Sequence, residues 1–495
     1  MAKGRTFRQR RRRVACTTQQ QKHGQVSKEQ EWIDLRNWCK ACKMPKTKLA
    51  LAYFPNTFRG MMATRDICRE EDVICVPEQL LVTASKAMSR LLKYSVNASV
   101  NISLADNISR KLSEHQTLTY WLYSESKLGK DSSWRYYIKS LPQSFASVPL
   151  FVLSGSRPND MLSATTDNEK WVLAHITRSV RHKVADQQTR LFSDWTRTSS
   201  FVSTTGAICP IDDWRHYVWA WLAVSTRCIH LGQKATRSPF ASQDTIALAP
   251  LLDLLNHSED ARISTHFDVS NQQFVIKTHK PYKKGEEVFI SYGPHDNRFM
   301  LAEYGFVLAR NPFQSLELDY YVESWVGTIK LRLGTAKKGS MVTMNPSDVD
   351  LLVDALRQRG LWGDFTLTPD DNDAPYRLQA ALRLLITAEQ QNQPSHQGVS
   401  AKRAVAQWER WLRGEPIEES SICDKDSAIK DWIGATCQEI VSKSAQTMDD
   451  IRKSRNGQKQ NENNSTIDSY LVHCIFMVWM EINAVAKRLC SGSII

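Results

Sequence analysis

Long apolar runs are missing from this chain of 495 residues. The longest candidate, Leu471 to Met480, is about half of the ~20 residues that a bilayer-crossing helix needs, and no apolar segment of signal-peptide type follows Met1. The sequence therefore predicts no membrane partner and a reducing interior, nucleus and cytosol, as its location. Disulfide-framework spacing is missing too. Eleven cysteines, an odd number, are scattered along the chain, which suits free thiols. Cys39 and Cys42 have the spacing of half a zinc site, but no second pair of suitable spacing follows, so no metal is expected. Without secretion, the Asn-x-Ser/Thr triplets at Asn97, Asn101 and Asn107 carry no glycosylation signal.

What is present is enough for more than one core. Apolar residues make up 42% of the chain and include fifteen tryptophans, and single cores seldom grow beyond ~250–300 residues, so two or three cores are expected. The net charge is +13. Lys3, Arg5, Arg8 and Arg10 to Arg13 supply seven of those charges, leaving +6 for the rest. Such a run cannot pack, stays solvated and attracts acidic partners; a nuclear import receptor reading Arg10-Arg11-Arg12-Arg13 is the expected one.

Beyond that tail, residues 31–38 place apolar side chains at helical offsets. Residues 52–66 read as a turn-rich loop and then a strand, with Gly60 allowing close backbone approach, and a second strand over 70–76 halts at Pro77. From 85 to 207 the pattern is helical, and Leu118, Trp121, Leu122 and Tyr123 read as core rather than as a stacking platform. Asp212-Asp213 predicts the cap of a helix that ends near Arg227, where the helix dipole favours a cation. Lys277 to Lys284 reads as a basic turn between strands, and His295-Asp296-Asn297 as a turn and helix cap. Helices are expected again over 350–361, 375–390, 401–412, 427–440 and 466–486.

The stretch 249–306 organises the rest. Pro250-Leu251-Leu252-Asp253-Leu254-Leu255 runs into the polar pair Asn256-His257, and Gly285-Glu286-Glu287-Val288-Phe289-Ile290-Ser291-Tyr292-Gly293 alternates like a strand that ends in a tyrosine, placing Val288, Ile290 and Tyr292 on one face. Glu303-Tyr304-Gly305-Phe306 follows. Asn256 offers one acceptor and two donors, and His257 a ring nitrogen. A tyrosine at the tip of an apolar slot supplies a rigid body and one hydroxyl.

In these three blocks, and in Ser225-Thr226-Arg227, the chain resembles the SET-domain methyltransferases, in the branch of the plant Rubisco large-subunit lysine methyltransferase and the actin-histidine methyltransferase. The resemblance implies an α+β fold: a SET domain of small β-sheets with a knotted C-terminal threading, split by a helical insertion and followed by an all-helical substrate-binding domain. It divides the chain into a basic tail (1–30), SET parts at 31–94 and 208–312, the insertion (95–207) and the helical domain (313–495). It implies S-adenosylmethionine as cofactor, with Thr57, Phe58, Arg59, Arg227, Asn256, His257, Tyr304, Gly305 and Phe306 as candidate contacts. Phe58 stands where family members often have glycine. Tyr292 matches the catalytic tyrosine, while Arg227, Asp253, Tyr292 and Tyr304 match residues lining the acceptor side.

The expected activity is protein-lysine N-methylation, with a histone H4 or H3 lysine, or a lysine of another protein, as acceptor. Methyl transfer from a sulfonium to nitrogen is an in-line displacement that depends on alignment. A lysine amine, ordinarily charged at neutral pH with a pKa of ~10.4, becomes nucleophilic once an apolar slot lowers that value. Tyr304 is altered in the histidine-methylating relative, which favours lysine here. The cysteine cluster that many histone methyltransferases carry after the tyrosine block is missing, so another element must close that side. The alternatives are a catalytically silent module docking chromatin or protein, and a histidine methyltransferase.

Overall fold

The structure is a computed structural model that describes residues 24–93, 112–156, 158, 166–205, 209–231, 244–335, 345–369, 373–391, 401–415, 423–458 and 467–491. The basic run with Arg10 to Arg13 and the triplets at Asn97, Asn101 and Asn107 lie outside them. The chain divides into two compact units. One comprises Met1–Ala174, Val180–His295 and Phe299–Phe306, and the other His175–Ser179, Asp296–Arg298 and Val307–Ile495.

The first unit carries the strands β1 (Gln25–Val26), β2 (Leu49–Phe54), β3 (Phe58–Ala63), β4 (Glu71–Pro77), β5 (Val82–Thr83), β6 (Ile229–His230), β7 (Ile246–Leu248), β8 (Asn256–His257), β9 (Ile263–Asp268), β10 (Gln273–Thr278) and β11 (Glu287–Ile290). They form three small sheets, ordered β1-β2-β3-β11-β8, β4-β10-β9 and β5-β7-β6. The first sheet holds the candidate residues. β2 and β3 make a hairpin with Phe54 opposite Phe58, so residues 52–54, expected in a loop, belong to a strand. The alternation that marks a one-sided strand is absent there, because five of the six β2 residues are buried. Pro77 closes β4 rather than stopping it short, and Lys277 still belongs to β10.

β11 sits between two partners. Its first half pairs antiparallel with β3, Glu287 opposite Met62, and its second half pairs parallel with β8, Phe289 opposite Asn256 and Ile290 opposite His257. That parallel pairing joins chain segments some thirty residues apart and puts the polar pair beside the tyrosine strand.

Helices α1 (Gln30–Ala41), α2 (Ala84–Lys93), α3 (Glu114–Leu128), α4 (Arg135–Ser140), α5 (Pro149–Leu153), α6 (Asp167–His175), α7 (Arg178–Thr205), α8 (Trp214–Arg227) and α9 (Asn297–Tyr304) complete the N-terminal three-fifths of the chain. A capping box of Ser113 and Gln116 starts α3, and the Asp213 carboxylate accepts from the His216 N–H at 3.0 Å to start α8. Leu118, Trp121, Leu122 and Tyr123 are fully buried, with Trp121 edge-on to Trp134 at 5.4 Å. At ~1.5–3 kcal/mol per buried large side chain, these aromatics stabilise the packing around α3.

The second unit is helical: α10 (Asp319–Thr335), α11 (Pro346–Gln358), α12 (Tyr376–Gln391), α13 (Ala401–Leu412), α14 (Cys423–Gln458) and α15 (Ser469–Ser491), with the short pair β12 (Leu316–Glu317) and β13 (Thr366–Leu367). α10 was not legible from periodicity, and α14 runs well past the expected 427–440. α15 also outgrows the apolar stretch 471–480: by length and composition it is long enough to cross a membrane, with half of its apolar window buried. Leu471, Cys474, Ile475 and Val478 are among its buried residues.

Candidate active site

The site begins at the β2–β3 hairpin. Phe58 has a φ of 57° and is 56% exposed, so a residue with a Cβ occupies a left-handed position that glycine fills without strain. Thr57 turns its hydroxyl inward and donates to the Glu287 carboxylate. The Arg59 side chain donates to the Ser140 carbonyl at the end of α4 at 3.1 Å, while its own carbonyl accepts from the Asn256 amide at 2.8 Å. Gly60 leaves no room for a side chain. A Cβ there would lie 2.1 Å from Glu287 Oε1 and 2.9 Å from Asn256 Nδ2.

On the neighbouring strands, Asn256 Nδ2 also donates to Glu287 Oε1 at 2.8 Å. Glu287 is 9% exposed, and burial raises its carboxyl above the ordinary value against the pull of Thr57 and Asn256. His257 accepts the Tyr292 N–H on Nδ1 at 3.0 Å. The proton of the neutral ring therefore sits on Nε2, which is buried and has no partner. Burial, reinforced by His295, pushes the His257 pKa down to about 4, so the ring is neutral at pH 7.

Tyr292 lies two residues past the end of β11, not on its face as the alternation implied. Two hydrogen bonds hold it instead: its N–H to His257 and its hydroxyl to the Leu255 carbonyl at 2.9 Å. Its ring stands 5.2 Å from His257, 4.9 Å from Tyr304 and 6.3 Å from Phe306. Burial raises the Tyr292 pKa well above its ordinary value, Arg227 opposes that rise, and Tyr304, Asp253 and Glu287 add to it. The phenol is thus protonated throughout the neutral range.

Asp253 is the buried acid of the site. It lies in a 3-10 turn over Leu252–Leu254, entered through Leu251 at a φ of 68°, a second strained position. Tyr137, fully buried on α4, donates its hydroxyl to Asp253 Oδ2 at 2.8 Å. Arg227, the last residue of α8, donates to the Asp253 main-chain carbonyl at 2.6 Å. Asp253 Oδ1 and Arg227 Nε are buried without a partner. Burial pushes the Asp253 carboxyl up to about 6, against Arg227 and the Tyr137 hydrogen bond.

α9 delivers the last block. Gly305 caps it at a φ of 74°, its N–H bonded to the carbonyls of Met300 and Leu301, and a Cβ there would meet Ser147 Oγ at 2.7 Å. That glycine turns the chain so that Phe306 comes 6.1 Å from Tyr304 and 6.3 Å from His257. Phe58 and Gly305 thus face different demands: the first bears strain, the second relieves it.

Tyr292, Tyr304, Phe306 and His257 are therefore gathered by ring contacts, Asp253 and Arg227 act on Tyr292 electrostatically, and Thr57 and Arg59 reach Asn256 directly or through Glu287. Sequence reasoning missed Glu287 and Tyr137. The first looked like an ordinary strand residue, and the second lies 116 positions from its partner. Among the described residues no group of three or more His, Cys, Asp or Glu side chains is placed to hold a metal.

The sequence model of the SET domain matches residues 59–293, the span that contains Arg59, Arg227, Asp253, the Asn256-His257 pair, Glu287 and Tyr292. This chain carries a SET domain.

The SET domain is shared with human SET domain-containing protein 4, 31% identical over 315 residues that cover 63% of this chain and 66% of the relative. Ribosomal lysine N-methyltransferase set11 of Schizosaccharomyces pombe (strain 972 / ATCC 24843) is 31% identical over 237 residues, 47% of this chain and 54% of that protein. The chain thus spans somewhat under two thirds of the first relative's length and about half of the second's. Among solved structures, Rubisco LSMT bound to AdoMet superposes with a TM-score of 0.50 at 14% identity, covering 94% of this chain and 93% of that one. That likeness is one of fold. Thr57 and Phe58 precede the matched SET domain and Tyr304, Gly305 and Phe306 follow it, so the gathered residues extend beyond the domain at both ends.

Proposed function

We propose that this SET domain makes the chain an S-adenosylmethionine-dependent protein-lysine N-methyltransferase. The observation that carries the reading is the parallel pairing of β8 and β11, which sets the Asn256-His257 pair against Tyr292. The residues fit such a cofactor, because His257 Nε2 is a buried donor with no partner and no described residue donates to Asn256 Oδ1. When bound, the cofactor supplies a methyl group on a positively charged sulfur. The Asn256-His257 pair binds it through one acceptor and one donor. Tyr292 spends its proton on the Leu255 carbonyl, so its oxygen keeps lone pairs to orient an incoming amine. Tyr304 and Phe306 exclude water, and the Asp253 carboxylate, held by Tyr137, attracts the cationic side chain.

Lysine is favoured over histidine because Tyr304, which is altered in the histidine-methylating relative, is present here with its ring 4.9 Å from that of Tyr292. The names of two relatives support the reading, one a ribosomal lysine methyltransferase and one a SET domain protein. For the acceptor protein we propose a histone H4 or H3 lysine, with ribosomal proteins as the comparison substrate, and action in nucleus and cytosol with the basic tail engaging an import receptor. The test is to incubate the full chain with isotope-labelled S-adenosylmethionine and either histones or ribosomal proteins, then map the label by mass spectrometry. Label on lysine that is lost in Tyr292→Phe supports the reading; label on histidine, or none with a protein that does not bind the cofactor, overturns it.

A further inference from the structure

We infer that Glu287 is a positioning residue for cofactor binding: with the Arg59 carbonyl it takes both amide protons of Asn256 and so presents the Asn256 oxygen, and only the oxygen, to the ligand. This rests on the proposed function and adds the chemistry of recognition. Nδ2 of Asn256 lies 2.8 Å from Arg59 O and 2.8 Å from Glu287 Oε1. Both neighbours are acceptors, so the amide cannot turn around without setting oxygen against oxygen, and its orientation is imposed by chemistry. The remaining atom, Oδ1, has no donor among the described residues, and the ligand group it meets must be an N–H or O–H donor.

A second, independent feature reserves space for this bond. Gly60 follows Arg59, and any Cβ at that position would collide with Glu287 Oε1 and crowd Asn256 Nδ2. The other carboxylate oxygen accepts from Thr57, so one buried acid ties the hairpin turn to the polar pair. The bond also joins the chain segments that β11 brings together: Glu287 opens the half of β11 that pairs with β3, and Asn256 lies on β8.

The test measures S-adenosylmethionine affinity of the full chain by calorimetry, with thermal melting alongside. Wild type that fails to bind the cofactor overturns the proposed function. Given binding by wild type, Glu287→Ala is expected to weaken it by about tenfold, the worth of one well-placed hydrogen bond. Glu287→Gln, which keeps an acceptor oxygen for Asn256 and can donate to the Thr57 hydroxyl, stays within about threefold of wild type. Because Glu287 acts through Asn256, adding Glu287→Ala to Asn256→Ala costs nothing further. Additive losses in that double variant, equal losses in the Gln and Ala variants, or a Thr57→Val variant that alone reproduces the Ala loss would each overturn the inference.

Discussion

The two flanks of the site are built by different means. On the sheet side, Thr57, Arg59, Asn256 and Glu287 are linked by hydrogen bonds, with Arg59 Nε left buried and unpaired. On the helical side, Tyr137 and Arg227 hold Asp253, and Asp253 Oδ1 and Arg227 Nε remain buried and unpaired. A buried polar group left unpaired costs roughly 1–3 kcal/mol. A protein retains such atoms where a ligand completes them, and each flank offers some: Asp253 Oδ1 and Arg227 Nε on the helical side, Arg59 Nε and His257 Nε2 on the sheet side.

The hinge between these flanks is Tyr292, bonded to His257 on one side and to Leu255, just past the Asp253 turn, on the other. Replacing it breaks the comparison most severely. Tyr292→Phe should lower the methylation rate roughly a hundredfold, in the range expected for losing one oriented polar group at a reacting centre, while cofactor affinity, set on the sheet side, changes less than about threefold. Calorimetric affinity and turnover measured on the same variant check the split.

Overfilling the sheet flank comes next. Gly60→Ala drives a methyl group into the Glu287 carboxylate at 2.1 Å, so stability should fall by about 1–3 kcal/mol as the strand and carboxylate give way, read as a shift of the denaturant midpoint. No comparable loss is expected from Gly129→Ala, where nothing lies within 4 Å, beyond the smaller strain of its own positive φ of 55°.

Acid titration should separate the flanks by sign. His257 has its pKa lowered from 6.5 to about 4; between those values the unfolded chain binds more protons than the folded one, so its contribution to stability is present above 6.5 and lost as pH falls towards 4. Asp253 has its carboxyl raised from 3.8 to about 6; there the folded chain binds more protons, so its contribution is present below 3.8 and lost as pH rises through 6. His257→Gln should therefore flatten a rising slope of stability with pH, and Asp253→Asn should flatten a falling one and leave the protein a few degrees more stable at pH 7.5. Melting curves of both variants between pH 4 and 7.5 check the opposite signs.

The smallest effect is expected outside both flanks. Phe58→Gly removes the Cβ from a left-handed position at a φ of 57° and should raise stability by under about 1 kcal/mol, because relief of backbone strain is partly offset by the greater entropy of glycine in the unfolded chain.

Some of these features are legible in the sequence. Asn256, His257, Tyr292 and the Tyr304-Gly305-Phe306 block sit at the ends of apolar runs, where a polar or aromatic residue stands out, and Asp213 announced its helix through a local capping rule. Glu287 did not stand out, because alternation in 285–292 explains a glutamate on the solvent face of a strand equally well; only the pairing of β11 with both β3 and β8 turns it inward. The placing of Tyr292 was misjudged for a related reason: period two describes the strand but not the residues after it, which are held by His257 and Leu255. The length of α14 escaped because its second half is mostly polar and gives no clear stripe.

The sequence by itself determined which residues stand out as candidates, since residue type and position at the end of an apolar run depend only on neighbours along the chain. Tertiary structure alone decided which of their atoms remain free to meet a ligand. That follows from donors and acceptors being satisfied across space: Glu287 and Arg59 consume the protons of Asn256, Tyr137 takes one oxygen of Asp253, and Tyr292 fixes the proton of His257, and each of these pairings is set by folding.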